Sequence, residues 1–123
     1  MAGVFGDAIH SRADFSRALS GARKKVGDAL KRLPGDPTLE STRVQLEAIE
    51  KWIAHGRTPT LDERKSIDMG VRLYREFETT EDIDLYHLRN LIGEIGNYVL
   101  FWPDDHAAAD PNNQQYLSRV HLK

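Results

Sequence analysis

The sequence predicts an all-α protein, a small antiparallel four-helix bundle with a partly mobile C-terminal tail. Four stretches repeat their apolar residues every three or four positions, as one face of an amphipathic helix requires, and no stretch sustains the alternation that marks a strand. Helices joined by short connectors bury their apolar faces against one another. The predicted organisation is an N-terminal arm at 1–10, a helical bundle at 11–102 and a tail at 103–123.

The first two predicted helices cover residues 11–33 and 37–55. The segment LPGDP at 33–37 separates them, because its Pro and Gly end the first helix while its Asp and second Pro suit the N-cap and first turn of the next. Gly56 stands where a C-terminal glycine belongs. The predicted buried faces are formed by Phe15, Leu19, Ala22, Val26, Ala29, Leu30, Leu33, Leu39, Thr42, Leu46, Ile49 and Ile53.

The third and fourth predicted helices follow two threonine-bearing caps. Thr60 and Glu63 form a capping box for a helix that continues to about Phe77. Either threonine at 79–80 can cap the fourth helix, which runs to about Phe101 before Pro103 stops it. The predicted buried faces are formed by Ile67, Gly70, Val71, Tyr74, Phe77, Leu85, Leu88, Leu91, Ile92, Ile95, Val99 and Trp102.

Three glycines and two tryptophans carry predictions of their own. Gly70, Gly93 and Gly96 lie inside helical patterns, where glycine is costly, so they indicate close helix packing against a neighbour. Trp52 and Trp102 either cover the ends of the core or anchor an interface.

Composition favours a cytoplasmic protein without disulfides. The 123 residues include no cysteine, no secretory signal and no apolar run long enough to span a bilayer. The net charge of −2 is unevenly distributed, since residues 1–33 carry seven Lys/Arg against three Asp/Glu and residues 61–102 carry five against nine. We expect no membrane and no nucleic-acid partner, because the basic first helix lacks aromatic interleaving.

The most concentrated feature is an acidic segment at residues 76–84, with five carboxylates in nine residues. One interpretation is a helix start stabilised by the helix dipole. The other is an anionic surface that fits a basic cleft on a partner, with charge reversal at Glu78, Glu81 and Asp82 expected to slow association. The predicted partner-binding residues are Glu76, Glu78, Glu81, Asp82, Asp84 and His87.

The sequence contains few motifs that would indicate catalysis or metal binding. Asp84-x-x-His87 is a single carboxylate–histidine step, repeated only by Asp7-x-x-His10, whereas dimetal bundles need two such motifs and further carboxylates. No nucleophile elbow and no glycine-rich phosphate loop is present. We therefore expect no catalytic residue, no metal and no cofactor. A metal-dependent enzyme built on Asp84 and His87 and a nucleic-acid binder are therefore the two least favoured functions, behind the two non-catalytic functions described below.

Two blocks resemble a known family. They are ALKRLPGDPTLESTRVQLEAIEKWI and MGVRLYREFETTEDIDLYHLRNLIGEIGNYV. In this order, between Val26 and Tyr98, they resemble the small all-helical immunity proteins of bacterial type VI secretion, among them one that neutralises an NAD(P)+ glycohydrolase effector. The segments before Val26 and after Pro103 are additions to that pattern.

The resemblance implies a protein without activity of its own, which binds a cognate effector toxin domain and occludes its active site. That toxin would be an NAD(P)+ glycohydrolase or another nucleotide-targeting domain. The alternative from another class is a non-catalytic adaptor or regulatory bundle that binds a host protein.

Overall fold

The computed structural model describes residues 9–103, and these form an all-α structure. Of the described residues 77% are helical and none lies in a strand, which confirms the predicted class. The predicted arm at 1–10 and tail at 103–123 lie almost wholly outside the described residues. The helices are α1 (Arg12–Arg32), α2 (Pro37–Ile53), α3 (Leu61–Lys65), α4 (Met69–Glu76) and α5 (Ile83–Phe101), with a 3-10 turn at Ala54–Gly56.

A single core lies among the four longer helices. Helix α1 packs against α2 and α5, and α4 packs against the same two helices. No helix of the described chain combines the length and the apolarity that a bilayer-spanning segment needs. The fully buried large apolar side chains are Phe15, Val26, Leu39, Leu46, Ile49, Met69, Leu73, Leu88, Ile92, Ile95 and Val99.

The predicted third helix is wrong in its continuity and in two members of its buried face, Val71 and Tyr74, whereas Phe77 is buried and Ile67 packs against the core as predicted. The structure divides it into α3 and α4, separated by residues 66–68. Gln45 of α2 causes the restart at Met69, because its side-chain carbonyl accepts from the amides of Asp68 and Met69 at 3.0 Å each. Counting from this restart, Met69 and Leu73 are buried, whereas Val71 is 59% exposed and Tyr74 is 50% exposed.

Two of the predicted helix ends also move. The predicted α2 ends at His55, but the observed helix ends at Ile53, and His55 adopts a left-handed conformation with φ 62° before Gly56 at φ 79°. Thr79 and Thr80 do not cap α5. Asp82 caps it instead, accepting from the amides of Asp84 and Leu85 at 3.0 and 3.1 Å, since a carboxylate satisfies two of the free N–H groups at once.

The caps at Asp36 and Thr60 are confirmed. Asp36 accepts from the Leu39 amide at 2.9 Å. Thr60 accepts from the Glu63 amide at 3.1 Å, and Glu63 accepts in return from the Thr60 amide at 2.9 Å, which completes the capping box. Trp102 packs edge-on against Phe15 and Tyr98 and so covers one end of the core.

We expect Gly70→Ala to destabilise the protein although alanine is the better helix former. A Cβ at Gly70 would lie 3.3 Å from the Cα of Gly93, so α4 and α5 would have to separate. The expected loss in free energy of unfolding is about 1 kcal/mol, within the usual cost of overpacking. Urea denaturation measures it, with Gly21→Ala as the control, because a Cβ at Gly21 meets no described atom within 4 Å. Equal effects of the two substitutions would contradict the close helix contact.

Candidate partner-binding surface

The α1–α2 connection (residues 33–36) and the α4–α5 connection (residues 77–82) meet at one end of the molecule. Arg32 joins them, since its guanidinium forms an ion pair with Asp82 and a longer one, at 3.9 Å, with Asp84. The Arg32 hydrogen bond, with those from the Leu85 and Asp84 amides, lowers the pKa of Asp82. Asp82, predicted as a partner contact, therefore also caps α5 and ties two connections together.

Glu76 lies against a second carboxylate that the sequence did not associate with it. The Asp36 carboxylate, which caps α2, interacts with that of Glu76, and this interaction, with some burial and the charge of Asp36, raises the pKa of Glu76 against a smaller opposing effect of Thr38. Neither carboxylate forms an ion pair with a cation of the described chain. Like charges held together disfavour the ionised state, so this corner of the fold carries an electrostatic cost.

Glu78 and Glu81 are exposed on the α4–α5 connection, and Arg89 of α5 fixes the backbone there. The Arg89 guanidinium donates to the carbonyls of Phe77 and Glu78 at 3.2 Å each. Its central carbon lies 4.7 Å from the ring centroids of both Tyr74 and Tyr86. A guanidinium held by two aromatic faces loses little freedom on binding, so the connection is presented in a fixed conformation.

His87, the last predicted residue, is exposed beside this aromatic group. Its ring lies edge-on to Tyr86, with the centroids 5.6 Å apart. No group of three or more His, Asp or Glu side chains within residues 9–103 is arranged to hold a metal ion. His87 therefore lies beside Tyr86, whose ring also contacts the Arg89 guanidinium.

Sequence reasoning missed four members of this surface. They are Asp36, Tyr74, Tyr86 and Arg89. The sequence pattern identifies Asp36 only as a helix cap. The helical period that places Tyr74 in the core does not allow for the break at residues 66–68. Arg89 gives no local signal, because its contacts reach back across the α4–α5 connection.

The chemistry of this surface is that of cation recognition. The carboxylates of Asp36, Glu78 and Glu81 lie on two adjoining connections and that of Glu76 on the last residue of α4, and carboxylates bind Arg and Lys through charge-assisted hydrogen bonds. Exposed tyrosines beside them add apolar area of the kind enriched at interfaces. No protein-family model, curated protein or solved structure matches the chain.

We expect Glu76→Gln to stabilise the protein at neutral pH. The pKa of Glu76 is raised in the fold, so the stability linked to its protonated form is full below the unfolded-state pKa and is lost as the pH rises through the folded-state pKa. Replacing the carboxylate removes that loss and should raise the Tm by about 1–2 °C at pH 7. Thermal unfolding at pH 7 and below pH 4 measures it, and the gain should vanish at the lower pH. Glu78→Gln is the control, and an equal gain there would refute the pairwise explanation.

Proposed function

We propose that this chain is an immunity protein, which binds a cognate bacterial effector toxin domain and occludes its active site without catalysis of its own. The observation that carries the proposal is the proximity of the Asp36 and Glu76 carboxylates, which form no ion pair within residues 9–103, beside the exposed Glu78 and Glu81. A partner that supplies Arg or Lys there gains the new ion pairs and relieves the repulsion that the free protein bears. Stability sacrificed at an exposed site is typical of a functional surface.

The surface fits the class of toxin that the resemblance implies. An active site for NAD(P)+ or another nucleotide must accept negatively charged phosphates, so it tends to be electropositive. Carboxylates on a rigid connection can enter such a cleft and occupy the place of phosphate charge. The resemblance of residues 26–98 to type VI immunity proteins supports the same assignment, and the proposal includes a cytoplasmic location for the protein and its toxin.

The arrangement of the helices is part of this proposal. We infer an antiparallel bundle, because α1 and α2 are joined by a four-residue connection and α4 and α5 by a six-residue one, and Arg32 bonds these connections to each other. Such an arrangement collects the acidic residues of both connections at one end. The toxin then approaches along the bundle axis, from the end opposite to Phe101 of α5.

The deciding experiment is co-expression of the chain with the product of the neighbouring upstream gene. Rescue of growth, with a stoichiometric complex on purification, supports immunity; the complex is prepared with a catalytically inactive toxin so that binding and survival are measured separately. Neither rescue nor complex would refute the proposal and favour the adaptor or regulatory bundle. Rescue without a complex would exclude active-site occlusion as the mechanism.

A further inference from the structure

Exposed apolar and aromatic side chains adjoin the acidic α4–α5 connection. Ile83, in the first turn of α5, is 63% exposed, and Tyr86 is 40% exposed one turn later on the same side of the helix. Tyr74 of α4 is half exposed and contacts the same Arg89 guanidinium as Tyr86 does. Such a cluster is typical of the centre of an interface rather than of an ordinary surface. The side chains of Tyr74, Ile83 and Tyr86 are here called the apolar patch.

Arg89 connects the apolar patch to the acidic connection. The guanidinium that lies against both tyrosine rings also donates to the carbonyls of Phe77 and Glu78. The Phe77 carbonyl accepts in addition from the Thr80 amide at 3.2 Å, so the Arg89 contact holds the turn that carries Glu78. Arg89 forms no ion pair within residues 9–103. It therefore fixes the connection without neutralising the carboxylates there.

Carboxylates by themselves account for attraction to an electropositive cleft but not for a long-lived complex. Complementary charge mainly raises the association rate, and salt screens it at an exposed surface. Slow dissociation depends instead on a few aromatic and apolar side chains that lose their water in the complex. An inhibitor that occludes an active site acts only while it stays bound. The residues that retain the toxin are therefore expected beside the carboxylates rather than among them.

We propose that the apolar patch, held in position by Arg89, is the hot spot of the toxin interface. This inference rests on the proposed function and adds to it the residues that retain the toxin. The carboxylates of the connection attract the electropositive cleft, and the apolar patch then buries its side chains against an apolar area at the rim of that cleft. Because Arg89 already restricts both tyrosines, little side-chain entropy is lost when they become buried.

Truncating the apolar patch should change the dissociation rate and not the association rate. Ile83→Ala and Tyr86→Ala should each raise the dissociation rate from the catalytically inactive product of the upstream gene at least about tenfold, with the association rate changed less than about threefold. Tyr86→Phe keeps the ring against Arg89 and should retain most of the affinity. Val44→Ala is the matched control, because Val44 is also β-branched and 54% exposed but lies in α2, and both rates should stay unchanged.

The possible outcomes separate this inference from the proposed function. A complex whose dissociation rate is unchanged by both alanine variants overturns the hot spot and leaves the proposed function intact. A slower association rate with an unchanged dissociation rate also overturns it, because the patch would then act before the complex is formed. If the wild-type chain neither binds nor rescues, the proposed function and this inference fall together. The Tm of each variant is measured so that unfolding is not counted as lost binding.

Arg89→Lys tests the positioning role in the free chain, where no toxin is needed. Lysine keeps the charge but lacks the planar guanidinium that bonds two carbonyls between two rings. Hydrogen exchange of the Thr80 amide, which donates to the Phe77 carbonyl, should become at least about tenfold faster, with a much smaller change at the buried Ile92 of α5. Unchanged exchange at Thr80, or equal acceleration at Thr80 and Ile92, would overturn the role of Arg89 in holding this surface.

Discussion

Phe15→Ala is expected to lower the free energy of unfolding by about 3–5 kcal/mol, the largest stability effect that we expect from one side chain. Phe15 is 0% exposed on α1. Its ring stacks on Tyr98 of α5 with the centroids 4.7 Å apart, and Trp102 meets it edge-on at 5.5 Å. Truncation therefore removes one of the apolar contacts between α1 and α5 together with both aromatic pairs, and leaves a cavity beside Trp102.

Urea denaturation followed by tryptophan fluorescence and circular dichroism measures this loss. Phe15→Leu keeps most of the volume and should cost only about 1–2 kcal/mol. Phe101→Ala is the exposed control, because Phe101 is 73% exposed at the end of α5, and should change stability by less than about 0.5 kcal/mol. A loss at Phe15 no larger than that at Phe101 would show that this aromatic group does not hold α1 in place.

Local signals were sufficient for most of the fold. The stripe on α1 is unbroken from Phe15 to Ala29, and all its predicted members up to Ala29 are buried. The LPGDP segment contains its own stop and start, and the observed helices end at Arg32 and begin at Pro37. In both cases the controlling contacts lie within four residues along the chain, which is the distance that periodicity and capping rules describe.

The start of α4 and its buried face depend on contacts between residues that are far apart in the sequence. Gln45 binds Asp68 and Met69 from 23 and 24 residues away, and that contact sets where α4 begins. The new start moves Val71 and Tyr74 to the surface and places Leu73 in the core. A helical period counted continuously through residues 66–68 cannot predict this new helix start, because no residue near Met69 in the sequence indicates it.

In the acidic segment, too, the sequence shows how many carboxylates are present but not which residue each of them contacts. Its charge density is visible in the sequence, but its carboxylates differ in what they contact. Asp82 is bound by Arg32, 50 residues earlier, whereas Glu76 faces Asp36, a like charge, and has no ion pair with the described chain. Only the three-dimensional contacts separate the carboxylates that serve the fold from those available to a partner.

Reversing the available carboxylates should abolish protection from the toxin, with a loss of affinity of at least about 100-fold. The variant is Glu76→Lys with Glu78→Lys and Glu81→Lys. Asp82 is left intact, because its reversal would remove the α5 cap and the Arg32 ion pair and so confuse binding with stability. Like charge against an electropositive cleft costs several kcal/mol, mostly through slower association and faster release.

The matched control moves the same charge elsewhere on the surface. Glu47, Glu50 and Asp62 belong to α2 and α3, away from the two connections, and reversing them gives an identical net charge. Because Glu47 and Glu50 pair with Arg23 and Arg43, the Tm of both triple variants is measured as well, so that a loss of stability is separated from a loss of binding. Association rates at low and high salt, measured by surface plasmon resonance, should fall only in the first variant and lose most of their salt dependence there. Equal losses in both variants would attribute binding to net charge alone. Unchanged binding in the first would remove the acidic segment from the interface while leaving immunity itself to the rescue experiment.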